Sequence, residues 1–227
     1  MRNPSYTIPT PLPCGFKDEG IPKTSSSVIE EVKACLDATA LFDYSFLLRL
    51  SVQGPEAVEA VSNLCGRDFA SLPVGMIRYA LFSDQNSYLI SDLTVWKVEP
   101  DTLEIMSGRS ADRIEMMSIL SNFNVKVSDL SADTSVIALQ GPKTNLILDT
   151  QSNTKNHRDI PFFGFREHKI AGITCTLARL GYTGLEGVEI LCRPDAARKI
   201  LALLEDYSCL AGFKAMNVLR IRAGFPL

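Results

Sequence analysis

The chain has 227 residues, of which 46% are hydrophobic and 22% charged, a composition that supports a packed core and excludes disordered and collagen-like classes. Lys and Arg number 23 against 26 Asp and Glu, so the net charge of −3 provides no basic field for nucleic acid or an anionic membrane, and neither is expected as a partner. The longest apolar stretch, 41–50, is broken by Asp43, Ser45 and Arg49 and falls short of the roughly 20 residues a membrane span needs.

The opening Met1-Arg2-Asn3-Pro4 has neither the apolar core of a secretory signal nor the arginine repetition of a transit peptide. Proline at 4, 9, 11, 13 and 22 denies helix or central strand to the segment before Ser25, which reads as an extended arm. Cysteines at 14, 35, 65, 175, 192 and 209 never form Cys-x-x-Cys; they read as reduced core thiols of a cytoplasmic protein. His157 and His168 are the only histidines, each reading as a surface or satisfied polar residue, and with no Cys/His cluster at zinc spacing no metal site is expected.

Ser27-Val-Ile-Glu30 fits a capping box, and Val28, Val32, Cys35 and Leu36 recur at helical spacing, which predicts a helix through Asp37. An internal repeat follows: Leu50-Ser-Val-Gln-Gly-Pro-Glu56 returns 87 residues later as Ile137-Ala-Leu-Gln-Gly-Pro-Lys143. Each copy reads as an apolar strand, a Gly for a tight turn, and a Pro at the first helical position. The first copy leads into a helix over 55–64, a strand pair over 76–83 and 88–98, a strand over 102–106, a helix over 111–122 and a strand over 125–129. The second leads into a helix over 142–149, a hairpin over 163–170 and 173–180 turned at Ala171-Gly172, a strand over 187–192 and a helix over 194–207. This order leaves few parallel crossovers, so the fold class is α+β, used twice, rather than a Rossmann sheet.

Familiar catalytic motifs are missing. Gly181, Gly184 and Gly187 form neither a dinucleotide fingerprint nor a Walker loop and read as a turn between strands. Asp92, in Tyr88-Leu-Ile-Ser-Asp-Leu-Thr-Val-Trp96, shares a period-two face with Tyr88, Ile90, Thr94 and Trp96. Two readings are open: the wet side of an antiparallel sheet, or a carboxylate with a purpose. Glu189, the one acid in Gly187-Val-Glu-Ile-Leu-Cys192, poses the same question, with an exposed strand carboxylate as the plainer answer. Tyr79 and Tyr182 could stack on a planar ligand, though tyrosine is common in strands.

Seven collinear stretches carry a resemblance: Leu41-Phe-Asp-Tyr-Ser45, Val52-Gln-Gly-Pro55, Leu72-Pro-Val-Gly75, Ile90-Ser-Asp-Leu-Thr-Val95, Ala138-Leu-Gln-Gly-Pro142, Gly181-Tyr-Thr-Gly-x-x-Gly-x-Glu-Ile190 and Leu219-Arg-Ile-x-Ala-Gly224. Together they resemble the folate-binding domain of the glycine-cleavage T-protein (aminomethyltransferase) family. The Ser-Asp-Leu-Thr form is closest to the T-protein-like halves of dimethylglycine and sarcosine dehydrogenases. The resemblance implies two related α+β subdomains around a tetrahydrofolate channel, one from 1–45 plus 134–227 and a second, inserted, from 46–133. It implies Asp92 as the essential acid near folate N5, Tyr79 and Tyr182 as aromatic walls around the pterin, Glu189 as the acid bonding the pterin edge, and Arg220 as a basic residue near the site. The family adds a C-terminal β-barrel where this sequence ends, at Phe225-Pro-Leu227, so the expectation is a chain whose barrel is absent, or is supplied by a partner chain or an oxidase or dehydrogenase subunit. Phe46 stands for a usual His, and Met216 and Arg222 for a usual Arg and Glu, departures that fall on the side of the small-molecule one-carbon donor. The implied activity is a tetrahydrofolate-dependent one-carbon (aminomethyl or methyl) transferase, with a non-catalytic folate-binding protein as the alternative. Against relatives that support iron-sulfur cluster maturation, Tyr182 occupies the place of their cysteine.

Overall fold

A computed structural model describes residues 27–84, 86–152 and 154–225; the expected N-terminal arm and Cys14 lie outside them. Helix α1, Val28–Asp37, opens on a complete capping box: the Glu30 amide donates to Ser27 Oγ and the Ser27 amide to Glu30 Oε2, both at 3.2 Å. There follow β1 Ala40–Asp43, β2 Leu48–Gln53, α2 Ala57–Cys65, β3 Ile77–Ser83, β4 Leu89–Glu99, β5 Thr102–Ser107, α3 Arg113–Leu120, β6 Lys126–Asp129 and β7 Ser135–Gln140. The chain continues through α4 Thr144–Gln151, β8 Phe165–Ile170, β9 Ile173–Ala178, β10 Gly187–Cys192, α5 Pro194–Leu204, β11 Cys209–Leu210 and α6 Phe213–Ala223.

The strands form a six-stranded sheet, β11-β1-β7-β10-β9-β8, and a five-stranded sheet, β3-β4-β5-β2-β6. The one parallel pair among the described strands joins β1 to β11. Alternation in each strand feeds three apolar layers. Leu50, Val52, Leu103 and Ile105 meet α2 and α3 on the outer face of the five-stranded sheet. Ile137, Leu139 and Ile190 meet α4 and α5 on the outer face of the other. Ile77, Trp96 and Met106 meet Phe42, Ala138 and Ala178 between the sheets, where α1 and α6 also pack.

Backbone bonds lace the sheets together at one edge: Ile77 N–H donates to Phe163 O at 2.7 Å and Phe165 N–H to Gly75 O at 2.9 Å. The Trp96 and Phe165 rings lie 5.0 Å apart across the same seam. Further along, Arg49 donates from Nε and Nη2 to Glu104 Oε2 and from Nη1 to Thr134 Oγ1, a linkage between the start of β2 and the approach to β7.

Both Gln-Gly-Pro copies turn in the same way. Gly54 and Gly141 have φ of 144° and 133°, and a Cβ on them would stand 2.7 Å from Asn124 O and 2.4 Å from Ala38 O, so neither position admits a side chain. The prolines, however, are not first helical residues. Glu56 and Lys143 are the N-caps, and a turn closed by Ala57 N–H to Gly54 O, or Thr144 N–H to Gly141 O, holds each Pro just before the helix. The β8–β9 hairpin turns at Ala171 and Gly172, both at positive φ (48° and 81°), the conformation that matches the twist of the flanking strands.

One alignment of the sequence reading fails here. Tyr88 lies outside β4 and is 72% exposed, because the β3–β4 ladder slips between Phe82 and Ser83 and the tip turns through Ser87 at φ 64°. Neither it nor Ile90, which packs with Leu93 and Val95 in the layer of α2 and α3, shares the face of Asp92.

Candidate functional site

In β4, Leu93 and Val95 enter the layer beneath α2 and α3, which turns Asp92, Thr94 and Trp96 toward the six-stranded sheet. Tyr79 of β3 stands opposite Thr94, and Leu81 opposite Asp92. Tyr79 thus reaches diagonally to Asp92; burial first, and then the charge and hydrogen bonding of Asp92, push the Tyr79 phenol up to about 12. Trp96 Nε1 donates to Thr94 Oγ1 at 2.9 Å, which satisfies the indole within the same face.

On the facing sheet, Glu189 of β10 projects into the layer between the sheets, while its neighbours Val188 and Ile190 enter the layer of α4 and α5. Its ladder partners are Ala138 of β7 and Ala178 of β9. Both ladder partners of the carboxyl-bearing residue thus carry only a methyl side chain. Glu189 is 6% exposed, and no described group hydrogen-bonds its carboxyl; burial alone pushes its pKa up to about 7. The reading of it as an exposed strand acid is overturned by that burial.

Tyr182 comes from the loop between β9 and β10. It stacks on Phe225 with ring centroids 5.7 Å apart and planes at 16°. Burial raises its pKa, as does the charge of Asp92, while Arg220 opposes them, so these three groups share one neighbourhood. Arg220, on α6, donates from Nε to Asn217 Oδ1 at 2.7 Å and from Nη1 to Phe225 O at 3.0 Å. One of its N–H groups thus holds the backbone of Phe225, whose ring stacks on Tyr182. Tyr79, Asp92, Tyr182 and Arg220 thus form one group, with Glu189 reached from it through Tyr44: Glu189 and Tyr182 both lie close enough to raise the Tyr44 phenol, after burial.

Two residues of this region escaped the sequence reading. Tyr44 follows β1, is 6% exposed, and its hydroxyl has no hydrogen-bond partner among the described residues. Gln140 ends β7 fully buried; its Nε2 donates to Leu180 O (3.2 Å) and Val188 O (3.3 Å), and its Oε1 accepts from Thr183 Oγ1 (3.0 Å). Gly181 and Gly187 make room for it, since a Cβ on either would fall within 2.4 Å of its amide. Beyond setting a turn, those two glycines let Gln140 pin the loop that carries Tyr182 to the strand that carries Glu189. The exposed Gln53 of the first copy gave no hint of this.

Of the three departures from the family pattern, Phe46 and Met216 lie together in an apolar wall, while Arg222 is exposed near the end of α6. Phe46 meets Tyr44 and Phe213 edge to face at 6.2 and 6.5 Å, and Met216 is buried beside them, around a cavity of about 10 Å³ that holds one water at most. A larger cavity, about 250 Å³, lies on the other face of the six-stranded sheet. Its charges are already paired, Arg158 with Asp149 and Arg179 with Glu186, and none of Tyr79, Asp92, Tyr182, Glu189 or Arg220 lines it. The histidines are neither exposed nor isolated: His157 and His168 are buried edge to face, 5.8 Å apart, and burial lowers both pKa values, so they are packed neutral.

The architecture and the interior acids define a two-sheet α+β protein with a polar, aromatic-walled face where the sheets meet. Residues 7–227 match the GCVT N-terminal domain model, and the chain belongs to that family. It is 34% identical over 217 residues to an aminomethyltransferase of Thermotoga maritima, covering 91% of this chain and 59% of that protein. To an aminomethyltransferase of Thermus thermophilus it is 31% identical over 215 residues, covering 91% and 60%. The crystal structure of the glycine cleavage system aminomethyltransferase T from Bartonella henselae superposes with a TM-score of 0.83 at 26% identity, covering 95% of this chain and 60% of that one. A heterotetrameric sarcosine oxidase from Corynebacterium sp. U-96 shares the fold at a TM-score of 0.58 and 22% identity, covering 85% of this chain and 92% of the matched one. The chain thus spans about 60% of the length of the aminomethyltransferases it matches.

Proposed function

We propose that the chain binds tetrahydrofolate between its two sheets and serves a one-carbon transfer of the glycine-cleavage T-protein type. Family membership supports the class, and the observation that carries the ligand is Glu189: a buried residue flanked by alanines, whose carboxyl takes no hydrogen bond from the described residues. Such a group is stabilised by a ligand that brings two adjacent donors, as the 2-amino and N3 positions of a pterin do in a bidentate pair. Tyr79 and Tyr182 supply aromatic faces for a flat ring. Tetrahydrofolate supplies the nucleophilic N5 amine that accepts the carbon. Asp92, half-buried and close to Tyr79, orients that amine and stabilises the positive charge that develops on it. For the donor, the Ser91-Asp92-Leu93-Thr94 stretch favours a small free methylated amine or its imine over a protein-bound aminomethyl-lipoyl arm.

A second reading is a non-catalytic folate-binding protein, or a subunit completed by a partner chain. The fold shared with a heterotetrameric oxidase supports it. Calorimetry with tetrahydrofolate tests both at the level they share: saturable binding is expected, and no heat at millimolar ligand would remove folate from the account. Incubation with tetrahydrofolate and either sarcosine-type imines or a lipoylated carrier protein then separates them, since methylene-tetrahydrofolate forms faster than in a protein-free control only if the chain is catalytic.

A further inference from the structure

Tyr44 is spent on nothing inside the described protein. Its ring is well packed, stacked with Phe42 at 6.1 Å and edge-on to Phe46 at 6.2 Å, yet its hydroxyl is fully buried without a hydrogen-bond partner. Burying a hydroxyl without a bond costs about 1–3 kcal/mol relative to a partnered one, and phenylalanine would fill the same space without that cost. The sheet register and electrostatics place it near one acid. Phe42, Ala138 and Glu189 form one row across β1, β7 and β10, and Tyr44 stands one row further along the same face, its amide bonded to Val136 O at 2.8 Å. Glu189 lies close enough for its charge, after burial, to raise the Tyr44 phenol, and no hydrogen bond to its carboxyl comes from the described residues.

We propose that Tyr44 is a ligand-binding residue of this pocket, its hydroxyl donating to a carbonyl oxygen that adjoins the donor pair accepted by Glu189. The inference rests on the folate reading and deepens it. Together the two side chains offer two acceptors and then one donor, which is the complement of a lactam ring carrying amino, N–H and C=O groups in a row. The pocket would thus select pterins by three contacts on one edge rather than two.

Tyr44→Phe tests this through two readouts that move in opposite directions. Without ligand, the variant is expected to melt at a temperature equal to or above wild type, because a desolvated hydroxyl has been removed. Affinity for tetrahydrofolate is expected to fall about five- to tenfold, as for one lost neutral hydrogen bond. The same fall is expected with 6-methyl-tetrahydropterin, which has the ring without the tail. Unchanged affinity in a variant of a binding-competent protein overturns the assignment. So does a loss confined to tetrahydrofolate, which would place Tyr44 on the tail, and so does a fall of several degrees in the unliganded melting temperature, which would give the hydroxyl a structural partner. If wild type binds neither compound, the folate reading itself fails, a result distinct from the other three.

Discussion

Asp92 and Glu189 are both single acids in apolar strands, but their surroundings divide their roles. Asp92 is half-buried beside Tyr79, where its charge is suited to an amine gaining positive character, a contact made mainly in the transition state. Asp92→Asn is therefore expected to leave tetrahydrofolate affinity within a few-fold and to lower turnover by about 10² or more, read from kcat against KM in the transfer assay. Glu189→Gln should weaken binding instead, because an amide sets a donor against the donors of the ring. Its raised pKa gives a pH signature as well. The folded protein retains a proton that the unfolded chain releases in the ordinary glutamate range, so this group stabilises folding most at low pH and progressively less as pH rises from about 4.5 through about 7. The swing is on the order of 3 kcal/mol, and chemical denaturation across pH 5–8 should show it in wild type and not in Glu189→Gln. Ligand binding runs the other way: donors select the ionised carboxyl, so affinity should rise about tenfold per pH unit below 7 and level off above it.

The burial of Glu189 was not readable from its strand. With Val188, Ile190 and Leu191 buried on both faces of β10, period-two alternation has no wet side to point at. The element order was readable, because turns and caps announce themselves locally: the Ser27–Glu30 box and the Ala171-Gly172 turn fold as their residue chemistry predicts, and the Gln-Gly-Pro junctions turn at their glycines, although their prolines stand before the helices and not at the first helical position. What the junctions concealed is that identical tripeptides do different work. Gln53 is exposed, whereas Gln140 ties Leu180, Thr183 and Val188 together, and that difference is made by a loop more than 40 residues downstream. Gln140→Leu would take the side-chain donor from two carbonyls and the acceptor from the Thr183 hydroxyl, and is expected to cost about 2–4 kcal/mol, while Gln53→Leu should stay within about 0.5 kcal/mol. Denaturant midpoints check the pair. Because the loop also carries Tyr182, Gln140→Leu should weaken tetrahydrofolate binding too, which Gln53→Leu should not.

Over the whole molecule, the two sheets share one interior layer, and Trp96, the single tryptophan, sits in it against Phe165 with 1% exposure. Loosening of the sheets from one another would wet this indole before either sheet melts. The shared layer and the backbone bonds at Gly75, Ile77, Phe163 and Phe165 argue for a single cooperative transition, so urea curves followed by Trp96 fluorescence and by far-ultraviolet dichroism should coincide. Trp96 stands four residues from Asp92 on the same face, and tetrahydrofolate binding should change its emission. The site belongs to this scale, because Asp92 and Glu189 come from different sheets. That both strands turn these acids toward the layer between the sheets was not readable from the period of either strand.

The chain's route through the two sheets also sets a timetable. Every strand of the five-stranded sheet lies between Leu48 and Asp129, so its pairings need no residue made earlier or later. Strand β1, made first, must wait for β7 and then for β11, its parallel partner, which arrives near the end of the described chain. Closing those long loops is the slower entropic step, and until then the apolar β1 has no lasting partner. In pulse-labelled hydrogen exchange during refolding, amides of β2 to β6 should gain protection before those of β1 and β11. The stretch that carries Phe42 and Tyr44 is then the last part of the pocket wall to be built, and the part most exposed to mispairing while the protein is being made.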